Sequence, residues 1–254
     1  MEPSKIRRIR YRLWSAPGSP RNLDRALLLL GTFKQVGWFE SMHLGRPVDR
    51  CRDPLPWYTY PAIYWLETVL KGNERVFEYG SGNSTLWFAQ RVKSVAAIEH
   101  DEAWAKRLRP FVPDNVALRH VPSGASDVSM ERSDPYVSAI THEQQEPYDI
   151  IVVDGKARNA CCHTAVSYLR PGGMLILDNS DRKEYEPANR FLLSRRFARI
   201  DFIGPVPGNV GWSSTSVYSQ DLIGWTNVQE LPTKQTKTIG DFDGYRSVSC
   251  PHNT

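Results

Sequence analysis

The segment Val76-Phe77-Glu78-Tyr79-Gly80-Ser81-Gly82-Asn83-Ser84 decides the fold class of this chain. It begins with a short apolar run that predicts a buried strand, and its small residues follow where a helical pattern starts. Glycines at such a strand-to-helix turn let a ligand approach the free backbone N–H groups of the helix start. The segment therefore predicts a nucleotide-like ligand. It matches the dinucleotide fingerprint poorly, because Thr85 stands where that fingerprint needs glycine.

Strand-like and helical patterns alternate along the chain from this segment onward. Strands are predicted at 76–79, 94–99, 116–121, 148–153, 174–177, 199–203 and 215–219, and helices at 84–91, 102–109, 159–169 and 187–197. The connector 204–211 is too short for a parallel crossover, which needs about a dozen residues or more. The pattern therefore predicts an α/β fold with a mostly parallel sheet and an antiparallel final strand.

Three regions are predicted along the chain. Residues 1–56 form a basic arm and a helical N-terminal cap, with a helical pattern around Asn22–Val36 and a Pro- and Arg-rich connector from Gly45 to Pro56. Residues 57–221 form the ligand-binding domain, which opens with a helix carrying Pro61 near its start. Residues 222–254 form a C-terminal extension with little apolar periodicity.

The composition predicts a water-soluble globular protein in a reducing compartment. Of 254 residues, 41% are apolar and 24% are charged, and the longest aliphatic run, Ala26–Leu30, is far shorter than the ~20 residues of a membrane-spanning helix. The net charge of +4 is modest and names no partner. The four cysteines form no CxxC pair, which favours a reduced, cytoplasmic setting.

Glu99 is the candidate for binding a ribose. It ends the second predicted strand and lies 21 residues after Glu78, close to the offset at which a carboxylate binds ribose hydroxyls in dinucleotide-binding folds. A carboxylate suits this role because it accepts two charge-assisted hydrogen bonds from a vicinal diol. The alternative is a solvated glutamate at a strand end. Asp101 is predicted to cap the following helix.

Three spaced motifs resemble those of class I S-adenosylmethionine-dependent methyltransferases. They are the glycine turn after Glu78, the strand Tyr148–Val153 followed by Asp154 and Gly155, and the Pro-Gly-Gly segment that leads through a strand to Asp178 and Asn179. The resemblance runs from about Trp57 to Ser219. It implies a three-layer Rossmann-like sheet and S-adenosylmethionine as cofactor. The resemblance also implies which residues bind the cofactor: Tyr60, Glu78, Gly80, Ser81, Gly82, Ser84 and Glu99.

Asp154, Asp178 and Asn179 fall at the carboxyl ends of two neighbouring strands, where open α/β sheets bind ligands. They resemble the metal ligands of catechol and caffeoyl-coenzyme-A O-methyltransferases, which implies a Mg²⁺ site, since Mg²⁺ prefers such oxygen ligands. In the alternative, Asp154 contacts the methionine ammonium or a substrate hydroxyl. Asp178 and Asn179 then only hydrogen-bond the loop.

The predicted activity is transfer of a methyl group to a hydroxyl or amine of a small-molecule or glycan acceptor. Asp154 and Lys156 are the candidate catalytic residues, Lys156 as a base if burial lowers its pKa. Lys156 and Arg158 are also candidates for binding an acidic substrate group. Two alternatives stay open, a nucleic-acid methyltransferase and a non-catalytic binding protein with the same fold. The chain has no Asn-Pro-Pro-aromatic signature, which argues against a nucleic-acid acceptor.

Overall fold

A computed structural model describes residues 20–142 and 146–226 of the chain. They contain one seven-stranded sheet with the order β3-β2-β1-β4-β5-β7-β6. β7 runs antiparallel to both of its neighbours, and the other pairs are parallel. The α/β fold and its antiparallel final strand are thereby confirmed. The strands are β1 Arg75–Tyr79, β2 Ser94–Glu99, β3 Val116–His120, β4 Tyr148–Val153, β5 Leu169–Asp178, β6 Ala198–Pro205 and β7 Trp212–Ser219.

Helices cover both faces of the sheet and give the predicted three layers. Helices α3 and α4 contribute to a core on one face, and α6, α7 and α8 contribute to a core on the other face. Short 3₁₀ turns span 109–111, 139–142, 183–185 and 223–225. The helices are α1 Pro20–Gln35, α2 Trp38–Leu44, α3 Tyr60–Val69, α4 Asn83–Ala89, α5 Glu102–Leu108, α6 Pro135–Ser138, α7 Arg158–Ala165 and α8 Glu186–Ser194.

The position of β4 in the middle of the sheet explains why its sequence is an almost continuous apolar run. Ile151 and Val153 point into the core on the α7 side, whereas Ile150 and Val152 point into the opposite core. All four side chains are fully buried. A strand with helices on both faces has no solvent side, so its sequence does not alternate between apolar and polar residues.

Strand β5 differs from the prediction. It begins at Leu169 rather than at Met174, and the predicted Pro-Gly-Gly turn is instead an irregularity inside the strand. The pairing with β4 moves from Tyr148 and Leu169 directly to Ile150 and Met174. Gly172 has φ +71° there, in the left-handed region that favours glycine. The extra residues therefore bulge out of the ladder without ending it.

The N-terminal part contains helices, as the sequence predicts for a cap. Helix α3 begins after Thr59, whose side chain accepts a hydrogen bond from the Ala62 backbone N–H, and Pro61 lies in its first turn. The basic arm and most of the C-terminal extension lie outside the described residues. The three-region division of the chain therefore stays a prediction. Within the described part, no helix is long and apolar enough to cross a membrane.

The cysteines of the described residues differ in their bonding. Cys161 and Cys162 are both free and fully buried. The short helix α7 lies between β4, β5 and α8, so adjacent positions on it meet protein on different sides. Cys51 is disulfide-bonded, which departs from the expectation of reduced cysteines.

Candidate active site

A cavity of about 550 Å³ opens at the carboxyl ends of β1, β4 and β5. This is the edge at which open α/β sheets bind their ligands. The predicted residues Ser81, Asp154, Asp178 and Asn179 line it together. The remaining lining residues are Trp57, Arg158, Asp181, Arg182, Val206, Asn209, Trp212 and Ser213.

The glycine turn after β1 forms one side of this edge. Gly80 has φ +102°, and a Cβ there would lie 3.2 Å from the Asp154 carbonyl carbon, so the turn packs closely against the end of β4. The Gly80 backbone N–H donates to the Ile98 carbonyl oxygen at 2.9 Å. The Trp104 indole N–H donates to the Ser81 carbonyl oxygen at 2.8 Å. Neighbouring elements thus hold the turn in one conformation.

Glu78 lies beneath the turn and does not line the cavity. Its two carboxylate oxygens accept hydrogen bonds of 2.5 Å from the hydroxyls of Ser84 and Thr85. Thr85 Oγ1 in turn accepts from the Gly82 backbone N–H at 3.0 Å. Burial raises the pKa of Glu78 to about 8. The geometry therefore makes Glu78 and Ser84 supports of the turn, and any effect on the cofactor passes through its backbone.

Glu99 is buried at the end of β2, beside the turn. Its Oε2 accepts a hydrogen bond from Ser81 Oγ, and its Oε1 accepts from the Asp101 backbone N–H, both at 2.9 Å. His100 Nδ1 lies 2.8 Å from Oε1. Asp101 accepts from the Trp104 backbone N–H at 2.8 Å and thereby caps α5, as predicted. The carboxylate of Glu99 is held beside the turn, and its binding of a ribose stays a prediction.

Asp154 follows β4 and pairs with Arg158 at the start of α7. Arg158 Nη2 lies 2.9 Å from Asp154 Oδ1. The Asp154 side chain lines the cavity and is 22% exposed, whereas the Arg158 side chain is 10% exposed. Burial raises the pKa of the Asp154 carboxyl, and the charge of Arg158 opposes that increase. Asp154 is thus a largely buried carboxylate with access to the cavity.

Asp178 and Asn179 lie at the end of β5, next to Asp154. Asp178 Oδ1 accepts a hydrogen bond from Thr215 Oγ1 at 2.6 Å. Burial, followed by the neighbouring charge of Asp154, raises the pKa of Asp178. Asn179 Oδ1 accepts from Arg158 Nη1 at 3.3 Å, and Asn179 Nδ2 donates to Ser213 Oγ at 3.2 Å.

The predicted metal ligands do not fit a Mg²⁺ ion in this arrangement. Mg²⁺ needs oxygens that converge on one point at 2.0–2.1 Å. Here Oδ1 of Asp154 and Oδ1 of Asn179 both face the Arg158 guanidinium, and Oδ1 of Asp178 faces Thr215.

Seven predicted site residues lie outside the cavity lining: five in or beside the glycine turn, which are Glu78, Gly80, Gly82, Ser84 and Glu99, and two elsewhere, which are Lys156 and Tyr60. Lys156 Nζ pairs with Asp127 at 3.1 Å, in the loop that follows β3, so the structure does not bring it to Asp154. The Tyr60 hydroxyl is buried near Glu40, and burial, followed by the Glu40 charge, raises its pKa. Tyr60 packs beside the core of α3 rather than against the glycine turn.

The loop between β6 and β7 forms one wall of the cavity. The sequence alone did not identify this wall. This loop packs against α2, since a Cβ on Gly208 would lie 2.6 Å from the Met42 backbone nitrogen. The Trp57 indole N–H donates to the Pro207 carbonyl oxygen at 2.8 Å. The Trp38 indole N–H donates to the Asn209 carbonyl oxygen at 3.1 Å. In the sequence, the connector 204–211 indicates only an antiparallel pair of strands, so nothing in it points to this wall.

Comparisons with known proteins agree with this geometry. Residues 77–180 match a family model described as a methyltransferase domain. No curated protein matches the sequence. A putative O-methyltransferase from Klebsiella pneumoniae is 20% identical with a TM-score of 0.50, covering 83% of this chain and 94% of that chain. An O-methyltransferase from Bacillus cereus, solved with S-adenosylhomocysteine, is 19% identical with a TM-score of 0.49, covering 83% of this chain and 96% of that chain.

The family match and the fold support the same assignment. The matched residues run from β1 to the end of β5 and contain the glycine turn, Glu99, Asp154 and Asp178. The Klebsiella protein is too distant in sequence to indicate more than a common fold. The chain therefore has a class I, Rossmann-like fold, and its residues 77–180 are similar to a methyltransferase domain.

Proposed function

We propose that this chain transfers a methyl group from S-adenosylmethionine to a hydroxyl, or an amine, of a polar small-molecule or glycan acceptor. The observation that carries the proposal is the position of Asp154. Its carboxylate lies in the cavity at the end of β4, and Arg158 contacts Oδ1. No residue of 20–142 or 146–226 donates a hydrogen bond to Oδ2. This oxygen is free to accept a proton from the acceptor.

Besides a base, methyl transfer mainly requires that the protein align the two substrates. A sulfonium is a good leaving group, so the rate depends mainly on aligning the acceptor atom with the methyl carbon. A hydroxyl acceptor must also lose a proton, and a carboxylate within hydrogen-bond distance provides general-base catalysis. The raised pKa of Asp154 makes it a stronger base than an ordinary aspartate. Asp154 is the proposed base, and the pairing of Lys156 with Asp127 supports Asp154 over Lys156 in this role.

The cofactor is proposed to bind along the glycine turn. Gly80 and Gly82 have no side chains to separate a ligand from the backbone before α4, and the Ser81 side chain is directed to Glu99. Glu99 would accept hydrogen bonds from the ribose hydroxyls. Ser81 both contacts Glu99 and lines the cavity, so it joins the ribose position to the site of methyl transfer.

The walls of the cavity support a hydroxylated acceptor with a flat or ring-shaped apolar face. Trp57 is 47% exposed and Trp212 is 77% exposed, and both line the cavity. Aromatic rings bury the apolar face of such a ligand while Asp181, Arg182 and Asn209 offer hydrogen bonds around them. This combination favours a sugar or an aromatic alcohol.

The test begins with calorimetry of the full chain against S-adenosylmethionine, S-adenosylhomocysteine and NAD. Binding of the first two and not of NAD is expected. Methyl-tritiated S-adenosylmethionine is then supplied with panels of sugars, aromatic alcohols, amines and RNA oligonucleotides. Label in a sugar or alcohol supports the proposal. Label in RNA alone would establish the nucleic-acid alternative, and binding without transfer to any panel member would favour the non-catalytic one.

Two further predictions from the sequence concern a Mg²⁺ site and a cytoplasmic location. The proposed mechanism needs no Mg²⁺, because the oxygens of Asp154, Asp178 and Asn179 do not converge on one point. A cytoplasmic location stays a prediction, and the disulfide at Cys51 counts against its premise of reduced cysteines. Activity of the purified chain in chelator, and a count of free thiols, would decide these two points.

A further inference from the structure

The Arg158 guanidinium is the best-coordinated charged group of the site. Five oxygens surround its nitrogens, and they leave none of its five N–H donors without a partner. Nε donates to the Gly155 carbonyl oxygen at 3.0 Å, and Nη1 donates to the Asp178 carbonyl oxygen at 2.7 Å. Nη2 donates to the Asp154 carbonyl oxygen at 3.1 Å. The remaining two oxygens are Oδ1 of Asp154 at 2.9 Å and Oδ1 of Asn179 at 3.3 Å.

These oxygens come from the same strand ends that the family resemblance assigns to a metal ion. β4 supplies Asp154, and β5 supplies Asp178 and Asn179. A cluster of carboxylate and carbonyl oxygens at low exposure needs a positive charge among them. The guanidinium already provides one, and it stays charged at any pH at which the protein is folded. The Tyr185 ring, 5.2 Å from the guanidinium carbon, covers its other side.

We propose that Arg158 takes the place of a divalent metal ion in this methyltransferase and acts as a positioning residue for Asp154. A divalent ion at these oxygens would lie beside a fixed positive charge and would have to displace at least two of its contacts. With Oδ1 held by Arg158, the Asp154 carboxylate keeps one orientation and presents Oδ2 to the cavity. The role given to Asp154 rests on the proposed function, whereas the absence of metal binding does not.

The sequence offers a physical reason for this arrangement. Arg158 follows Asp154 by four residues, after a turn in which Ala157 adopts φ +48°. That turn starts α7 with its first side chain directed back toward the strand ends. An arginine there reaches both β4 and β5, and its planar fork matches carboxylate and carbonyl oxygens better than a lysine does. Lys156, two residues earlier, instead pairs with Asp127 outside the cavity.

Metal binding is measured directly, with Mn²⁺ as a paramagnetic probe for Mg²⁺ and electron paramagnetic resonance as the readout. The wild-type chain should leave Mn²⁺ free in solution. Arg158→Ala should bind one Mn²⁺ per chain, because it exposes the oxygen set, and the double variant with Asp154→Asn should lose it again. Arg158→Lys should bind none, because a positive charge remains. Arg190→Ala, an exposed arginine on α8, is the matched control and should behave as the wild type.

A purely structural arginine would not predict a gain of metal binding, so the Mn²⁺ signal separates the two roles. If Arg158→Ala unfolds, Arg158→Gln keeps the chain length and removes the charge. The proposal is overturned if the wild type binds one Mn²⁺ that Asp178→Asn abolishes, or if the folded charge-removed variant binds none. Calorimetry of S-adenosylhomocysteine on the wild type in chelator runs beside these measurements. Loss of that binding would count against the proposed function, and the Mn²⁺ result would stand independently.

Discussion

Ser81 Oγ donates a hydrogen bond of 2.9 Å to Oε2 of Glu99, so the glycine turn after β1 and the end of β2 are joined by one polar contact. The other carboxylate oxygen of Glu99 accepts a hydrogen bond from the backbone N–H of Asp101, the residue that caps the start of α5. The carboxylate is therefore fixed in direction before any ligand arrives. A fixed acceptor loses less side-chain entropy when it binds a diol than a mobile one does.

Glu99→Gln should weaken binding of S-adenosylhomocysteine by about 10- to 100-fold, because hydrogen bonds to a charged group contribute about 1.5–3 kcal/mol. Isothermal titration calorimetry measures the change. Glu102→Gln is the matched control, since Glu102 is exposed and pairs only with Lys106 in the next turn. Equal affinities for Glu99→Gln and the wild type would show that the ribose contacts another residue.

Asp154→Asn should lower methyl transfer by roughly 100- to 10,000-fold, the usual range for loss of a general base. Affinity for S-adenosylhomocysteine should change little, because Asn keeps the size of the side chain. The assay uses the acceptor that the tritium panel identifies. Asp127→Asn, which releases Lys156 on the surface, should leave transfer intact. A large loss in Asp127→Asn with none in Asp154→Asn would assign the chemistry to Lys156.

Glu78→Gln should flatten the pH dependence of stability. The pKa of Glu78 is about 8 in the folded chain and 4.5 ordinarily, so between these values the folded state holds more protons than the unfolded state. Stability therefore falls as pH rises through this window, by about 1.4 kcal/mol for each unit of pKa difference. Urea unfolding at about pH 5.5 and about pH 8.5 should show a smaller loss for the variant than for the wild type. Identical losses would mean that Glu78 is ionised in the folded protein.

Gly155→Ala should destabilise the fold and disturb the cofactor turn together. A Cβ at this position would lie 2.0 Å from the Tyr136 hydroxyl oxygen and 2.9 Å from the Gly80 backbone nitrogen. Such overpacking typically costs about 1–3 kcal/mol. Gly31→Ala on α1 is the control, because a Cβ there meets nothing within 4 Å and alanine favours a helix. Thermal unfolding should show a lower melting temperature for the first variant only.

The sheet was predictable because its evidence is local. Strand β4 has five apolar side chains that face alternately into two cores, and this pattern is visible in the sequence alone. The bulge at 171–173 was not predictable in the same way. A Pro-Gly-Gly segment suits a turn or a bulge, and the choice depends on the pairing of Tyr148 and Ile150 with β5.

The site was predictable only as far as strand ends determine it. Asp154, Asp178 and Asn179 do reach one rim, as the strand order requires. The position of the Arg158 guanidinium depends on a long side chain folding back from α7, which spacing does not specify. Proximity in sequence was misleading for Lys156, because its partner Asp127 comes from a distant loop.

The close packing of Gly208 against Met42 has a consequence for how this protein can diversify. The loop and α2 meet backbone to backbone, with no side chain on Gly208 that a substitution could trim. Lengthening or reshaping the loop would require a compensating change in a helix more than 160 residues earlier in the chain. Homologues with a different acceptor should therefore differ at both places at once. Grafting the loop alone into another member would create a mismatch at this contact, whereas exchanging the loop and α2 as a pair would preserve it.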